Sequence, residues 1–209
     1  MGYHTDFTGG FSLSKKLTKK KLEYLENFSG TRRMKRDSKI LMELFKGKHG
    51  YPGRKGDDPI EIYGKDGEYF VGGTGHAGQD HDKSVIEYNT PPGQLSWKET
   101  SHMDFNSSYK LQLERIKNGE CQPSLWCLWV VEQDENGNQF VVWDGGEKFY
   151  EYIAWIRYLI DHFFKPWKVR LNGEVFWIGE DDGDRGKIVI KNNVVKVYLA
   201  KSTFIETNE

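Results

Sequence analysis

Cysteine is scarce in this sequence: 209 residues carry two, Cys121 and Cys127. Six apart, they supply neither the several bridges of a disulfide scaffold nor the close pairs that a structural zinc site uses, and Cys127 reads as a small core residue. Long apolar runs are missing as well, so no segment is predicted to span a bilayer. The lysines at 15–21 lead into an amphipathic pattern and not into the apolar stretch of a secretory leader, and a soluble, cytoplasmic protein is expected. No nucleophile and base stand at a recognisable spacing, so no catalytic residue is assigned. The string GTGHAG at 73–78 has the form GxGxxG, but a dinucleotide fingerprint needs an amphipathic helix starting inside the motif. Here polar residues 79–83, a strand-like stretch at 84–88 and then Pro91 and Pro92 follow instead. His76, Asp80, His81 and Asp82 carry metal-ligand chemistry, yet such clusters in polar loops are commonly only loops. Neither a metal nor a cofactor is expected.

What is present is aromatic and apolar material for a core, 14% and 37% of the chain, in one domain of residues 1–209. Charge is unevenly placed. Residues 1–56 hold 14 Lys and Arg against 5 Asp and Glu, a net +9, which leaves −10 for the rest. Such a division either makes a basic face for an anionic partner or draws two halves together on folding.

The strongest periodic signal lies in WDGGEKFYEYIAWIRYLIDHFFKPW, residues 143–167. Phe149, Tyr152, Ile153, Ile156, Leu159, Ile160 and Phe163 recur at three-and-four spacing and predict a helix at the back of the core, opened by an Asp144/Glu147 capping box and closed by Pro166. Upstream, a strand broken at Gly9 and Gly10 is predicted over 3–13. A helix capped by Thr18 should bury Leu22, Leu25 and Phe28. A second helix is predicted from just after Thr31 to Phe45, with Met34, Leu41, Leu44 and Phe45 inside. Arg32, Arg33, Lys35, Arg36 and Lys39 then make a basic face on that helix, able to meet phosphates or to serve as a solvated surface.

Strands are further predicted over 68–71, over 125–131 as a central strand apolar on both sides, and over 140–143 after an Asn136-Gly137 hairpin turn. A C-terminal meander of strands at 168–171, 174–179, 187–191 and 194–199 should turn at Asn172-Gly173, 181–186 and Asn192-Asn193. Residues 95–121 are more polar and suggest at most a short helix around Tyr109, Leu113 and Ile116. The expected class is α+β, a mostly antiparallel sheet with helices on one face, in a split βαβ arrangement with the C-terminal meander.

Several phrases together resemble a family of short phage and prophage proteins without an assigned activity: MGYHTDF at 1–7, TRRMKRD at 31–37, YFVGG at 69–73, YNTPP at 88–92, LWC at 125–127, WDGGEKF at 143–149 and LNGEV at 171–175. The resemblance implies a phage or mobile-element setting and supplies no catalytic residues. In the family pattern YNTPP runs almost directly into the Gln-Pro-Xaa-Leu-Trp phrase, whereas here 95–121 separates Gln94 from Gln122. That segment therefore reads as an insertion, which unsettles any site built by the two phrases side by side and offers this chain a partner surface of its own.

Three functions compete. The first is non-catalytic binding of a host factor, nucleic acid or nucleotide, through the basic helix and the sheet aromatics Trp126, Trp129, Trp143 and Trp177, most of which are expected to be buried. The second is a metal- or carboxylate-dependent hydrolase acting on a phosphorylated substrate through Glu174, Glu180, Asp181, Asp182 and Asp184, although DDGD also reads as an exposed turn. The third is a virion-associated interaction protein.

Overall fold

The computed structural model describes residues 3–72 and 82–201. In chain order its elements are strand β1 (Thr5–Leu13), helix α1 (Lys19–Ser29), strand β2 (Lys35–Arg36), helices α2 (Ser38–Phe45) and α3 (Pro59–Tyr63), strand β3 (Val85–Glu87), helices α4 (Trp97–Thr100) and α5 (Phe105–Lys117), strands β4 (Trp129–Gln133) and β5 (Gln139–Trp143), helix α6 (Tyr152–Leu159), and strands β6 (Leu171–Gly179), β7 (Arg185–Lys191) and β8 (Val194–Leu199). Six strands form one sheet in the order β4-β5-β1-β6-β7-β8, and β2 pairs with β3 in a small separate ribbon. Every ladder is antiparallel. The α+β class is as expected, and the C-terminal meander forms with three strands in place of the four expected, because 168–170 join no strand and β6 begins at Leu171. A split βαβ unit is formed by β5, α6 and β6: β1 lies between β5 and β6 and is antiparallel to both, so those two strands run in the same direction without pairing with each other.

The sheet buries one face. Along β6, Leu171, Val175 and Trp177 are buried while Glu174 and Phe176 are exposed, the period-two alternation of a half-buried strand. Helix α6 lies over the inner face with Trp155, Ile156, Tyr158 and Leu159 buried, in one cluster with Phe11, Val141, Val175, Ile188 and Ile190. Helix α1 follows Thr18 as predicted and adds Tyr24, Leu25 and Phe28. The Phe28 ring meets those of Phe163 and Trp155 edge-on at 5.1 and 6.0 Å, a favourable aromatic geometry.

Several expectations are corrected. The organising helix starts at Tyr152, not near Asp144: the Asp144 carboxylate accepts from the Gly146 amide at 2.8 Å in a local turn, and Glu151 precedes the helix at a left-handed φ of 56°. Beyond Leu159 the helix widens into a π turn over Ile160–Phe164. The apolar run at 125–131 contributes an edge strand and not a central one. Cys127 and Trp129 are buried while Leu128, Val130 and Val131 are half-buried, and α1 packs against β4, where the Ser29 hydroxyl donates to the Trp129 carbonyl at 2.7 Å. No strand forms at 68–71. Asn172-Gly173 is no turn, since β6 runs straight through it. A Cβ at Gly173 would lie 2.4 Å from the Gly10 carbonyl oxygen, so glycine there permits the close approach of β1. Residues 95–121 hold two helices instead of one, with no buried residue in either.

Ile156, fully buried at the centre of α6, supplies a direct check. Ile156→Asp should abolish cooperative folding, because an unpaired buried charge costs several kcal/mol against a total stability of roughly 5–15 kcal/mol. A native melting curve for that variant would contradict this placement of the helix.

Candidate binding cleft

The predicted basic helix face does not exist. Asp37 is the N-cap of α2, its carboxylate accepting from the amides of Lys39 and Ile40 at 2.8 and 3.2 Å, so residues 32–37 precede the helix. Arg33 and Arg36 are each 1% exposed and Lys35 is 8% exposed. Only Lys39 is fully exposed, with Arg32 half-buried. Arg33 donates to the Gln122 side-chain carbonyl at 3.0 Å and to the backbone carbonyls of Phe70 and Glu68 at 2.9 and 2.8 Å, with its guanidinium 4.1 Å from the Phe28 ring centre. Burial lowers its pKa. Arg36 pairs with Asp82 at 2.6 Å and donates to the Ser84 hydroxyl at 2.9 Å. Lys35 reaches Glu99 at 3.4 Å. These cations are internal struts.

The tryptophans divide similarly. Trp129 and Trp177 are buried, donating to the Tyr152 carbonyl and the Asp184 carboxylate, both at 2.9 Å. Trp143 is half-buried and donates to the Gly146 carbonyl at 3.1 Å. Trp126 is half-exposed and lies outside the sheet. Among the C-terminal carboxylates, Asp184 also accepts from the Tyr3 hydroxyl at 2.7 Å, Glu180 accepts from the His4 amide at 2.9 Å, and Glu174 pairs with Lys187 at 3.0 Å. They brace a turn and the sheet. No group of three or more His, Cys, Asp or Glu among the described residues is placed to hold a metal. The GTGHAG string, His76, Asp80 and His81 lie outside the described residues.

One concavity collects chain segments distant in sequence. Asn89, Pro91 and Gln94 form one wall, 123–126 the floor, and Glu147, Lys148 and Tyr150 the other wall, around a cleft of about 430 Å³. Pro91 and Pro123 are buried, whereas Trp126 is half-exposed and Tyr150 exposed. The two phrases separated by 95–121 do lie side by side. The Gln122 amide donates to the Pro92 carbonyl at 2.9 Å, and the Gln94 side-chain amide donates to the Gln122 and Pro123 carbonyls at 2.8 and 2.9 Å. A Cβ on Gly93 would sit 2.9 Å from the Cys121 Cα, so that glycine lets the segment's two ends meet. The opposite wall is a loop with two non-glycine residues at positive φ, Lys148 at 62° and Glu151 at 56°, a conformation that the surrounding packing must hold in place. Behind the floor, Ser124 accepts from the Trp155 indole at 2.7 Å. Arg32 borders the same wall, donating to the Asn89 side chain at 2.7 Å with its guanidinium 4.3 Å from the Tyr88 ring centre.

A second polar centre was not anticipated from the sequence. In the π turn, His162 stacks on Tyr158 at 3.9 Å, and its Nδ1 lies 3.0 Å from the Tyr69 hydroxyl. Burial lowers its pKa, opposed by a backbone hydrogen bond at Gly119. In the sequence it is only a histidine outside the apolar stripe of Phe149 to Phe163.

Comparison with known proteins finds no match: no family model, no curated protein and no solved structure corresponds to the chain.

Reversing Arg32, Arg36 and Lys39 to Glu should destabilise the fold by about 3–5 kcal/mol, nearly all of it through Arg36, because a carboxylate would then face Asp82 in a mostly buried site. Thermal melts of the single variants check this, with Lys39→Glu expected to be close to neutral. Acid should act at two further sites. Burial raises the Asp82 carboxyl, but hydrogen bonds from Ser84 and Arg36 outweigh that and hold it below its usual range. The capping box of Ser96 holds Glu99 at about 2, with Lys35 assisting. Both folded-state values are depressed, so the stabilisation is complete above about pH 5 and is lost as pH falls towards about 2. Melting temperature against pH should be flatter over that interval in Asp82→Asn than in the native chain.

Proposed function

We propose that this is a phage- or prophage-type accessory protein that works by binding, not catalysis, and that its ligand is a nucleotide, free or within a single strand, held in the cleft of Trp126 and Tyr150. The observation that carries this reading is the convergence of 89–94, 123–126 and 147–150 on one cleft whose floor holds the half-exposed Trp126 ring and whose wall holds the exposed Tyr150 ring. Its volume lies in the range of small-molecule sites, and a base is the ligand part that such rings accept whatever its identity. Lys148 at the rim and Arg32 behind Asn89 supply cations for a phosphate, in place of the basic helix face expected from the sequence. The hydrolase alternative gains no support from the C-terminal carboxylates, which brace a turn. A protein-partner reading is favoured by one separate observation: Trp97, Phe105 and Tyr109 of the 95–121 segment are exposed, with the last two rings stacked at 6.0 Å.

Calorimetric titration with nucleoside monophosphates and with short single-stranded oligonucleotides tests the cleft and separates the two sources of the base. Trp126→Ala should weaken binding about tenfold or more, the usual effect of losing one stacking ring, with the melting temperature nearly unchanged. Absence of saturable heat with both ligand types would overturn the proposal.

A further inference from the structure

The two edges of the main sheet are finished differently. Helix α1 packs against β4 at one edge, whereas at the other nothing among the described residues covers β8, where Val194 and Leu199 are 60% and 75% exposed. Edge strands usually carry charges, prolines or bulges that discourage pairing. The β8 sequence VVKVYL has one lysine and no proline, and its ladder to β7 runs unbroken from Val194 opposite Lys191 to Leu199 opposite Gly186. We propose that β8 is a self-association edge, at which two copies of this chain pair their β8 strands antiparallel about a two-fold axis and continue one sheet into the next.

The hydrogen-bond phase of the strand specifies the register. The Ala200 amide donates to the Arg185 carbonyl at 2.8 Å, and Asn192 and Asn193, both at positive φ, make a two-residue turn closed by Lys191 and Val194. Residues 194, 196, 198 and 200 therefore direct their amides and carbonyls at β7, and those of Val195, Val197 and Leu199 point outward. A two-fold pairing that keeps core-side residues opposite core-side residues must have its axis through a residue, not between two. An axis through Lys196 would set two ammonium groups directly opposite one another, which is unfavourable. An axis through Val197 instead matches the outward amide and carbonyl of Val197 with those of the partner's Val197, and Val195 with the partner's Leu199. It also sets Lys196 against the partner's Tyr198, a cation beside an aromatic ring. The outer face next to this seam combines the apolar Phe176, Ile178 and Tyr198 with Arg185 and Lys187 around a concavity of about 390 Å³. The interface is small, so association is expected in about the micromolar-to-millimolar range.

Sedimentation velocity across about 5 μM to 1 mM, spanning that range, should show a monomer passing to a dimer. Val197→Pro should keep the chain monomeric at a modest cost in melting temperature, since the amide it removes points outward while the Val197 side chain packs against the core. Oxidising Val197→Cys should yield a disulfide-linked dimer, because only the residue on the axis meets its own copy, at a Cα separation of about 5.5 Å suited to a disulfide. Lys196→Cys should not cross-link. Background is low, as Cys121 and Cys127 are buried, with their thiols pushed up to about 11 and about 12. A chain monomeric throughout, a dimer that survives Val197→Pro, or cross-linking at Lys196→Cys in place of Val197→Cys would overturn the proposal. Should Val197→Pro fail to fold, the cysteine pair decides alone.

Discussion

The interior guanidinium of Arg33 is the constraint around which the rest is arranged. Among the described residues no carboxylate forms an ion pair with it. Its charge is accommodated by two peptide carbonyls, one side-chain amide and the face of Phe28. Burying a charge in this way is costly unless nearly every donor is satisfied, and the acceptors come from places that need donors themselves. The stretch around Glu68 and Phe70 belongs to no sheet, so its inward carbonyls have no ladder to join. Arg33 takes both, and the Gln122 side chain donates to the Glu68 carbonyl at 2.7 Å as a second partner. One side chain thus replaces the strand that the sequence suggests at 68–71, and it joins α1 to that stretch and to the start of the 122–127 phrase.

The cleft inherits its shape from that joint. Gln122 is fully buried, held by Arg33 on one side and 3.2 Å from the Tyr158 hydroxyl of α6 on the other. The residues that follow it, Pro123 to Trp126, leave the joint already aimed across the floor. The facing wall exists because α6 starts late: had the helix begun near Asp144, Lys148 and Tyr150 would be helical and the concavity filled. The left-handed Lys148 and Glu151 are the backbone conformations that let the chain stay out of helix until Tyr152.

What could be read in advance follows the same logic. Period-two alternation and the Asn-Gly and Asn-Asn turns revealed the hairpin and the meander, because there the local chemistry and the final packing agree. Asn172-Gly173 misled because a glycine demanded by the close approach of β1 looks the same in sequence as one demanded by a turn. The run at 125–131 was wrongly seen as central: it is apolar on both sides, but only Cys127 and Trp129 are buried, with Leu128, Val130 and Val131 half-buried, the pattern of an edge strand. The basic helix failed on its boundary: Asp37 was a visible N-cap, and placing the start of α2 there leaves residues 32–36 extended, where the 3.6-residue wheel has no meaning. No signal distinguished an arginine meant for the interior from one meant for solvent, because the partners that permit its burial lie 35 to 89 positions away.

The charge division of the sequence takes on a different meaning from these contacts. Part of the N-terminal excess of cations is consumed internally, by Arg36 on Asp82, by Lys35 on Glu99 and by Arg33 on peptide carbonyls, and two of those partners are carboxylates from the acidic remainder of the chain. The asymmetry therefore joins the basic N-terminal segment to the segment at 82–99 in folding more than it builds a field for a distant anion. On the proposed reading, with Arg33, Lys35 and Arg36 withdrawn from the surface, a cleft lined by Trp126 and Tyr150 would recognise a ring first and a charge second. Salt should then weaken such a complex less than one held by phosphate contacts, because stacking, unlike counterion release, is short-ranged and little screened.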